Sequence, residues 1–111
     1  MAPDLQISTG GKLQMRPGEY YLYVIDDQGY VRIAPANPPG APPTKHSQVS
    51  FGTDAFGAGE VMMDSANRLR INDASGRYKP MWDNISQIAV KAFQALGHAV
   101  QSTNLPANPN G

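Results

Sequence analysis

Residues 57–72 read Gly57-Ala58-Gly59-Glu60-Val61-Met62-Met63-Asp64-Ser65-Ala66-Asn67-Arg68-Leu69-Arg70-Ile71-Asn72, two alternating runs on either side of a polar turn. This is the pattern of a β-hairpin, and its register decides which residues face the core, because a slip of one residue exchanges the faces of a strand. A three-residue loop groups Val61, Met63, Leu69 and Ile71 on one face and leaves Glu60, Met62, Arg70 and Asn72 on the other. A two-residue loop instead sets Glu60 among the aliphatic side chains of the partner strand. Burying an unpartnered polar group costs on the order of 2–7 kcal/mol. The three-residue loop is therefore expected, with a carboxylate and a guanidinium on one face.

Working outward, a second hairpin lies upstream. Glu19-Tyr20-Tyr21-Leu22-Tyr23-Val24-Ile25 is dense in aromatic and β-branched residues, Asp26-Asp27-Gln28-Gly29 supplies a turn, and Tyr30-Val31-Arg32-Ile33 returns. Between the hairpins, residues 35–43 carry five prolines and form a stiff surface loop, suited to delivering Thr44-Lys45-His46-Ser47 to a fixed place or to acting as a plain spacer. Downstream, Ala74-Ser75-Gly76 breaks the strand and Pro80 suits a first helical turn. Met81, Ile85, Ile88, Ala92 and Leu96, flanked by Trp82, Ala89 and Phe93, then recur at helical spacing, with Asp83 in the first turn and Gly97 as C-cap. Residues 99–103 read as a last short strand. The expected fold is α+β, a small, mainly antiparallel sheet of two β-hairpins packed against one C-terminal amphipathic helix. Residues 1–18, polar and ending in Arg16-Pro17-Gly18, read as a linker or flexible arm, residues 19–103 as a single domain, and residues 104–111 as a flexible tail.

Composition narrows the function classes. At 111 residues, 41% hydrophobic and 16% charged, the chain has material for one core. Nine basic and nine acidic residues cancel, so no overall field draws it to nucleic acid or to a membrane surface, although a local cluster of Arg and Lys suffices to hold a phosphate. The absence of cysteine removes disulfides, thiolate zinc sites and a cysteine nucleophile together. Two histidines without His-x-x-x-His spacing argue against a dedicated metal site, and no cofactor is expected. No run of about 20 apolar residues suggests membrane insertion, and the N-terminus lacks the organisation of a signal peptide. There is no phosphate-binding Gly-x-x-x-x-Gly-Lys loop and no Gly-x-Ser-x-Gly elbow.

The candidate chemistry rests on few residues. His46 sits past a rigid loop and outside any periodic segment, where an imidazole is either a proton carrier or an exposed ring without a role. Glu60 lies in a strand beside Gly57 and Gly59, whose lack of side chains leaves room for a ligand or another backbone; otherwise it is an ordinary solvent-facing carboxylate. Arg68, Arg70, Arg77 and Lys79 form a basic group, with Tyr78 as an aromatic face, able to clamp phosphate and stack a base. Alternating Arg and aliphatic residues are equally those of any half-buried strand. Ser47, Arg70, Tyr78 and Lys79 are the candidate substrate-binding residues. His98 follows the Gly97 cap, where a protonated ring would favour the helix C-terminus. The tyrosines at 20, 21 and 23 and the five methionines read as packing.

Taken in order, Tyr23-Val24-Ile25, His46-Ser47-Gln48-Val49, Ala58-Gly59-Glu60-Val61, the run from Ile71-Asn72-Asp73-Ala74 through Ser75-Gly76-Arg77-Tyr78-Lys79-Pro80, and Ala92-Phe93-Gln94-Ala95-Leu96-Gly97 resemble one family. It comprises short C-terminal effector domains of bacterial polymorphic toxins, including those with Rhs-type cores. Their pattern runs His, Ala-Gly-Glu, Asn-x-Ser-Gly-His-Tyr-x-Pro, helix, and the resemblance covers about residues 19–101. It implies a toxin of interbacterial competition, exported by a specialised system, acting in the target-cell cytoplasm and matched by an immunity protein. One departure bears on chemistry. Arg77 stands where the family usually has histidine; arginine can keep a phosphate-binding role but cannot transfer a proton.

Two catalytic expectations and one non-catalytic expectation follow. The first is metal-independent cleavage of RNA by His46 and Glu60 as acid and base, with Arg77 or Arg70 on the phosphate. The second is ADP-ribosyl transfer, with Glu60 orienting a ribose hydroxyl, for which the chain is small. The third is an interaction module that packs against a carrier or an immunity protein.

Overall fold

The computed structural model describes residues 4–8, 10–50, 55–73 and 85–109. In chain order the elements are β1 (Gln6–Ser8), β2 (Tyr21–Asp26), β3 (Val31–Pro35), α1 (His46–Ser50), β4 (Ala55–Met63), β5 (Arg68–Ile71), α2 (Ile85–Ala95) and β6 (Ala99–Ser102). The strands form one sheet in the order β1-β3-β2-β4-β5-β6. All neighbours run antiparallel except β5 and β6. A parallel pair needs a crossover, and α2 supplies it.

The hairpin that decides the fold has the expected register. Val61 faces Ile71, Met62 faces Arg70 and Met63 faces Leu69. Asp64 N–H donates to Arg68 O at 2.8 Å, leaving Ser65, Ala66 and Asn67 as the loop, with Asn67 at φ 61°. Asparagine tolerates this left-handed conformation, which three-residue hairpin loops use. Tyr21, Tyr23 and Ile25 of β2 consequently share a face with Val61, Leu69 and Ile71, and this face is covered by Ala89 and Phe93 of α2 and by Leu96 just past its end. Phe93, wholly buried, meets Tyr23 edge to face with ring centroids 5.4 Å apart, which adds about 0.5–1.5 kcal/mol beyond burial.

The other face carries its own small core. Leu22 and Val24 meet Ala34, Ala36 and Ala58, and Val49 of α1 closes over them. β2 is thus buried on both sides, as expected of a run that is apolar at nearly every position.

The α+β architecture stands, but two hairpins under one C-terminal helix is too simple a description. The sheet is mixed, the hairpins are joined edge to edge through β2 and β4, and a short helix lies on the face away from α2. The segment expected as a linker or arm supplies β1 and the core residue Leu13, and Gly18 N–H donates to Met63 O at 2.9 Å. The segment expected as a flexible tail buries Leu105 and Asn108, and Leu105 N–H donates to Ile71 O at 3.1 Å. Both pieces lack a periodic apolar run, and both are held by backbone pairing to strands already formed.

Gly97 ends α2 as expected, at φ 93°, with its N–H on Gln94 O and that of His98 on Phe93 O. The role expected for His98 is corrected. Its ring is buried, and Nε2 accepts the Leu13 N–H at 3.1 Å, so it serves as a neutral acceptor and not as a charged cap. Burial and, secondarily, the Lys12 charge hold its pKa below the ordinary histidine value.

Candidate functional site

The site is built around a glycine. Gly59 lies in β4 opposite Tyr23 of β2, and an ideal Cβ on it would sit 2.0 Å from the carbonyl oxygen of Asn72. The room beside Glu60 thus holds another backbone. Just past β5, the Asn72 carbonyl turns over Gly59 and accepts the Tyr23 hydroxyl at 2.8 Å. Burial raises the Tyr23 pKa far above its ordinary value, so this phenol stays a donor.

Turning the carbonyl inward leaves the Asn72 side chain on the opposite face, beside Glu60. Its Oδ1 accepts Glu60 N–H at 2.9 Å, and its Nδ2 donates to Glu60 Oε1 at 3.1 Å and to Leu105 O at 3.0 Å. A second donor reaches Oε1, the backbone N–H of Asn108 at 3.0 Å. Glu60, only 7% exposed, is therefore a buried carboxylate whose charge is met by amide donors.

His46 opens α1 on this same face. Its Nε2 lies 2.8 Å from the carbonyl oxygen of Gly59, the residue before Glu60. A carbonyl only accepts, so Nε2 carries the hydrogen and the ring's lone pair is on Nδ1. Burial lowers the His46 pKa, while the Gly59 carbonyl and the Glu60 charge act against that depression. The half-buried imidazole is thus neutral at neutral pH, and its protonated form is favoured by Glu60.

Arg70 is half-buried two residues before Asn72 and opposite Met62, which places it on the Glu60 face. The expected proximity of carboxylate and guanidinium does not amount to an ion pair: the bonds described at Glu60 come from Asn72 and Asn108. Arg68 is engaged elsewhere, with Nε 3.3 Å from Asp64 Oδ2 across the turn. Of Ser47 only the backbone is described, and Arg77, Tyr78 and Lys79 lie outside the described residues, as does the expected helix start at Pro80 to Asp83.

No family model, curated protein or solved structure matches the chain. The site's meaning rests on its own geometry.

Sequence reasoning overlooked Asn72 and Asn108. Asn72 was legible in principle, since the favoured register places it on the Glu60 face with two donors and an acceptor. Asn108 was not, because nothing in residues 104–111 signals where that segment runs. Among the described residues, no three His, Asp or Glu side chains come together as metal ligands, and no helix is long and apolar enough to cross a membrane. A cavity of about 340 Å³ lies on the α2 side, between Leu13, Met15, Met63 and His98. It brings no carboxylate to the imidazole, whose Nε2 is already used by Leu13.

Proposed function

We propose that this chain is the effector domain of a bacterial polymorphic toxin and that His46 and Glu60 carry out acid–base cleavage of RNA without a metal. The observation that carries the reading is the bond from the His46 imidazole to the carbonyl of Gly59, which sets the ring beside the Glu60 carboxylate on one face of the sheet. Nδ1 of neutral His46 takes the proton of the ribose 2′-hydroxyl. The 2′-oxygen bonds to phosphorus, the bond to the 5′-oxygen breaks, and the imidazolium returns the proton to that leaving oxygen. Glu60 stabilises the imidazolium, and Arg70 meets the phosphate oxygens, a role Arg77 is placed by sequence to share. Export by a specialised system, action in the target-cell cytoplasm and an immunity partner belong to the same proposal.

The test is inducible expression in a bacterial host of the wild type beside His46→Ala and Glu60→Gln. Glutamine is preferred to alanine because it keeps an acceptor for Asn72 and Asn108. The wild type is expected to arrest growth and to degrade RNA in EDTA, with a loss of at least about 100-fold in His46→Ala, the usual scale of one general acid–base group, and a smaller but clear loss in Glu60→Gln, which removes the charge that stabilises the imidazolium. Growth arrest with intact RNA sinks the ribonuclease, and consumption of NAD in the same lysate points to ADP-ribosyl transfer instead.

A second reading is favoured by one observation: Glu60 Oε1 accepts two internal hydrogen bonds, as a purely structural tie does. In that case the domain is an interaction module for a carrier or immunity protein. Partner binding and growth inhibition that both survive His46→Ala and Glu60→Gln would decide for it.

A further inference from the structure

One segment of the chain already lies in the site. Past β6 the chain crosses the α1 side of the sheet and is tied at Leu105, Pro106 and Asn108. Leu105 pairs through its N–H with Ile71 O at 3.1 Å and through its carbonyl with Asn72 Nδ2 at 3.0 Å. Pro106 O accepts the Tyr20 hydroxyl at 2.7 Å. Asn108 donates its N–H to Glu60 Oε1 at 3.0 Å and its Nδ2 to Asn37 Oδ1 at 2.6 Å.

These ties are of two kinds. Leu105 is an anchor, with a side chain 4% exposed and strand-like pairing to the end of β5. Beyond it, Pro106, Ala107 and Pro109 are exposed and Asn108 alone turns inward. The two prolines have no N–H to extend a ladder, so the segment cannot continue as a strand. Lifting residues 106–109 breaks the bonds at Pro106 and Asn108 and leaves the Leu105 N–H on Ile71 O. What it does uncover is a carboxylate. Asn108 N–H makes a charge-assisted bond to one of the two oxygens through which Glu60 would meet a substrate or an imidazolium.

We propose that residues 106–109 are a strap that fills the Glu60 site from within, and that the site works only in molecules from which Asn108 has lifted. The inference rests on the His46–Glu60 reading above. It deepens that reading by naming an internal competitor for the same carboxylate. Low-stability segments of this sort open locally without unfolding the sheet, and the fraction open scales the apparent affinity for anything that needs Glu60.

Two variants release the strap by different routes. A chain ending at Pro106 removes Asn108 altogether. The full chain with Asn108→Pro keeps its length and lacks the N–H that Glu60 accepts and the contact with Asn37. Each is expressed inducibly in a bacterial host, alone and combined with Glu60→Gln, with growth and RNA integrity in EDTA as readouts. Both are expected to inhibit growth more strongly than the wild type, and to cleave RNA on the order of tenfold faster or more, the population factor tied to one hydrogen bond to a charged group. The gain should vanish with Glu60→Gln. Equal or weaker inhibition by both variants, whatever their stability, overturns the strap, as does a gain that survives Glu60→Gln. Stronger, Glu60-dependent inhibition with intact RNA keeps the strap and removes the ribonuclease, so the two failures are distinct.

Discussion

A methyl group at position 59 has nowhere to go. An ideal Cβ there meets the Asn72 carbonyl oxygen at 2.0 Å, and that oxygen is held from its other side by the Tyr23 hydroxyl. Neither neighbour is the free end of a flexible side chain, so Gly59→Ala must push β4 away from the end of β5. The expected cost is about 1–3 kcal/mol, the usual range for overpacking, read as a lower urea midpoint with unchanged m-value. An unfolding free energy within about 0.5 kcal/mol of wild type, the range of an ordinary surface substitution, would show that the carbonyl is not fixed over the glycine. The same residue explains how far the site could be read from sequence. His46 and Glu60 stood out because one is an imidazole just past a stiff loop and outside any periodic run and the other a strand carboxylate beside Gly57 and Gly59, although each also had an ordinary reading on the surface. Gly59 suggested space for a ligand or a backbone, and alternation alone cannot distinguish them. Only the turn of the Asn72 carbonyl does so, and that turn depends on how the chain leaves β5.

Elements that carry their own signal were legible, and those that borrow stability from neighbours were not. The β2–β3 hairpin announces itself in six consecutive apolar or aromatic positions from Tyr20 to Ile25, and its turn is tied internally. Asp26, 2% exposed, accepts the N–H groups of Gln28 and Tyr30 at 3.0 and 2.9 Å, and its other oxygen lies 3.1 Å from Arg32 Nε. Asp26→Ala strips two backbone amides of the turn and a shielded guanidinium of their buried acceptor at once and is expected to cost about 3 kcal/mol. Asp26→Asn, which keeps an oxygen for the amides, should lose less. Equal losses in chemical denaturation would mean that the arginine, and not the turn, carries the effect. β1 has one apolar residue in three, and α1 contributes Val49 as its described core side chain. Neither is long enough for a period to be seen. Residues 99–103 were readable as a strand, but their direction was not. Parallel pairing with β5 follows from α2 crossing the sheet, a relation between elements that no single stretch encodes.

At the scale of the whole molecule, the two histidines each tie one segment to the rest of the fold and bring the same pH dependence to it. His98 accepts from Leu13 at the N-terminal segment, and His46 holds α1 to β4 beside the strap. Burial depresses both pKa values below the ordinary 6.5. In the window between the depressed values and 6.5 the unfolded chain binds more protons than the folded one, so stability increases with pH through that window. Their contribution is complete above about 6.5, the unfolded value, and is lost as pH falls. Denaturation midpoints measured from pH 7.5 down to 5 should therefore decline, with a slope no steeper than about 1.4 kcal/mol per pH unit for each histidine. His98→Gln keeps an acceptor near Leu13 without titrating and should remove roughly half of that limiting slope. A profile that rises on acidification would mean that the folded rings bind protons more readily than the unfolded ones, and Nε2 of His98 could then not accept from Leu13; a flat profile would mean that folding does not shift the two rings. The same experiment bears on the candidate chemistry, since a His46 that is protonated at pH 7 has no lone pair on Nδ1 to take a proton from substrate.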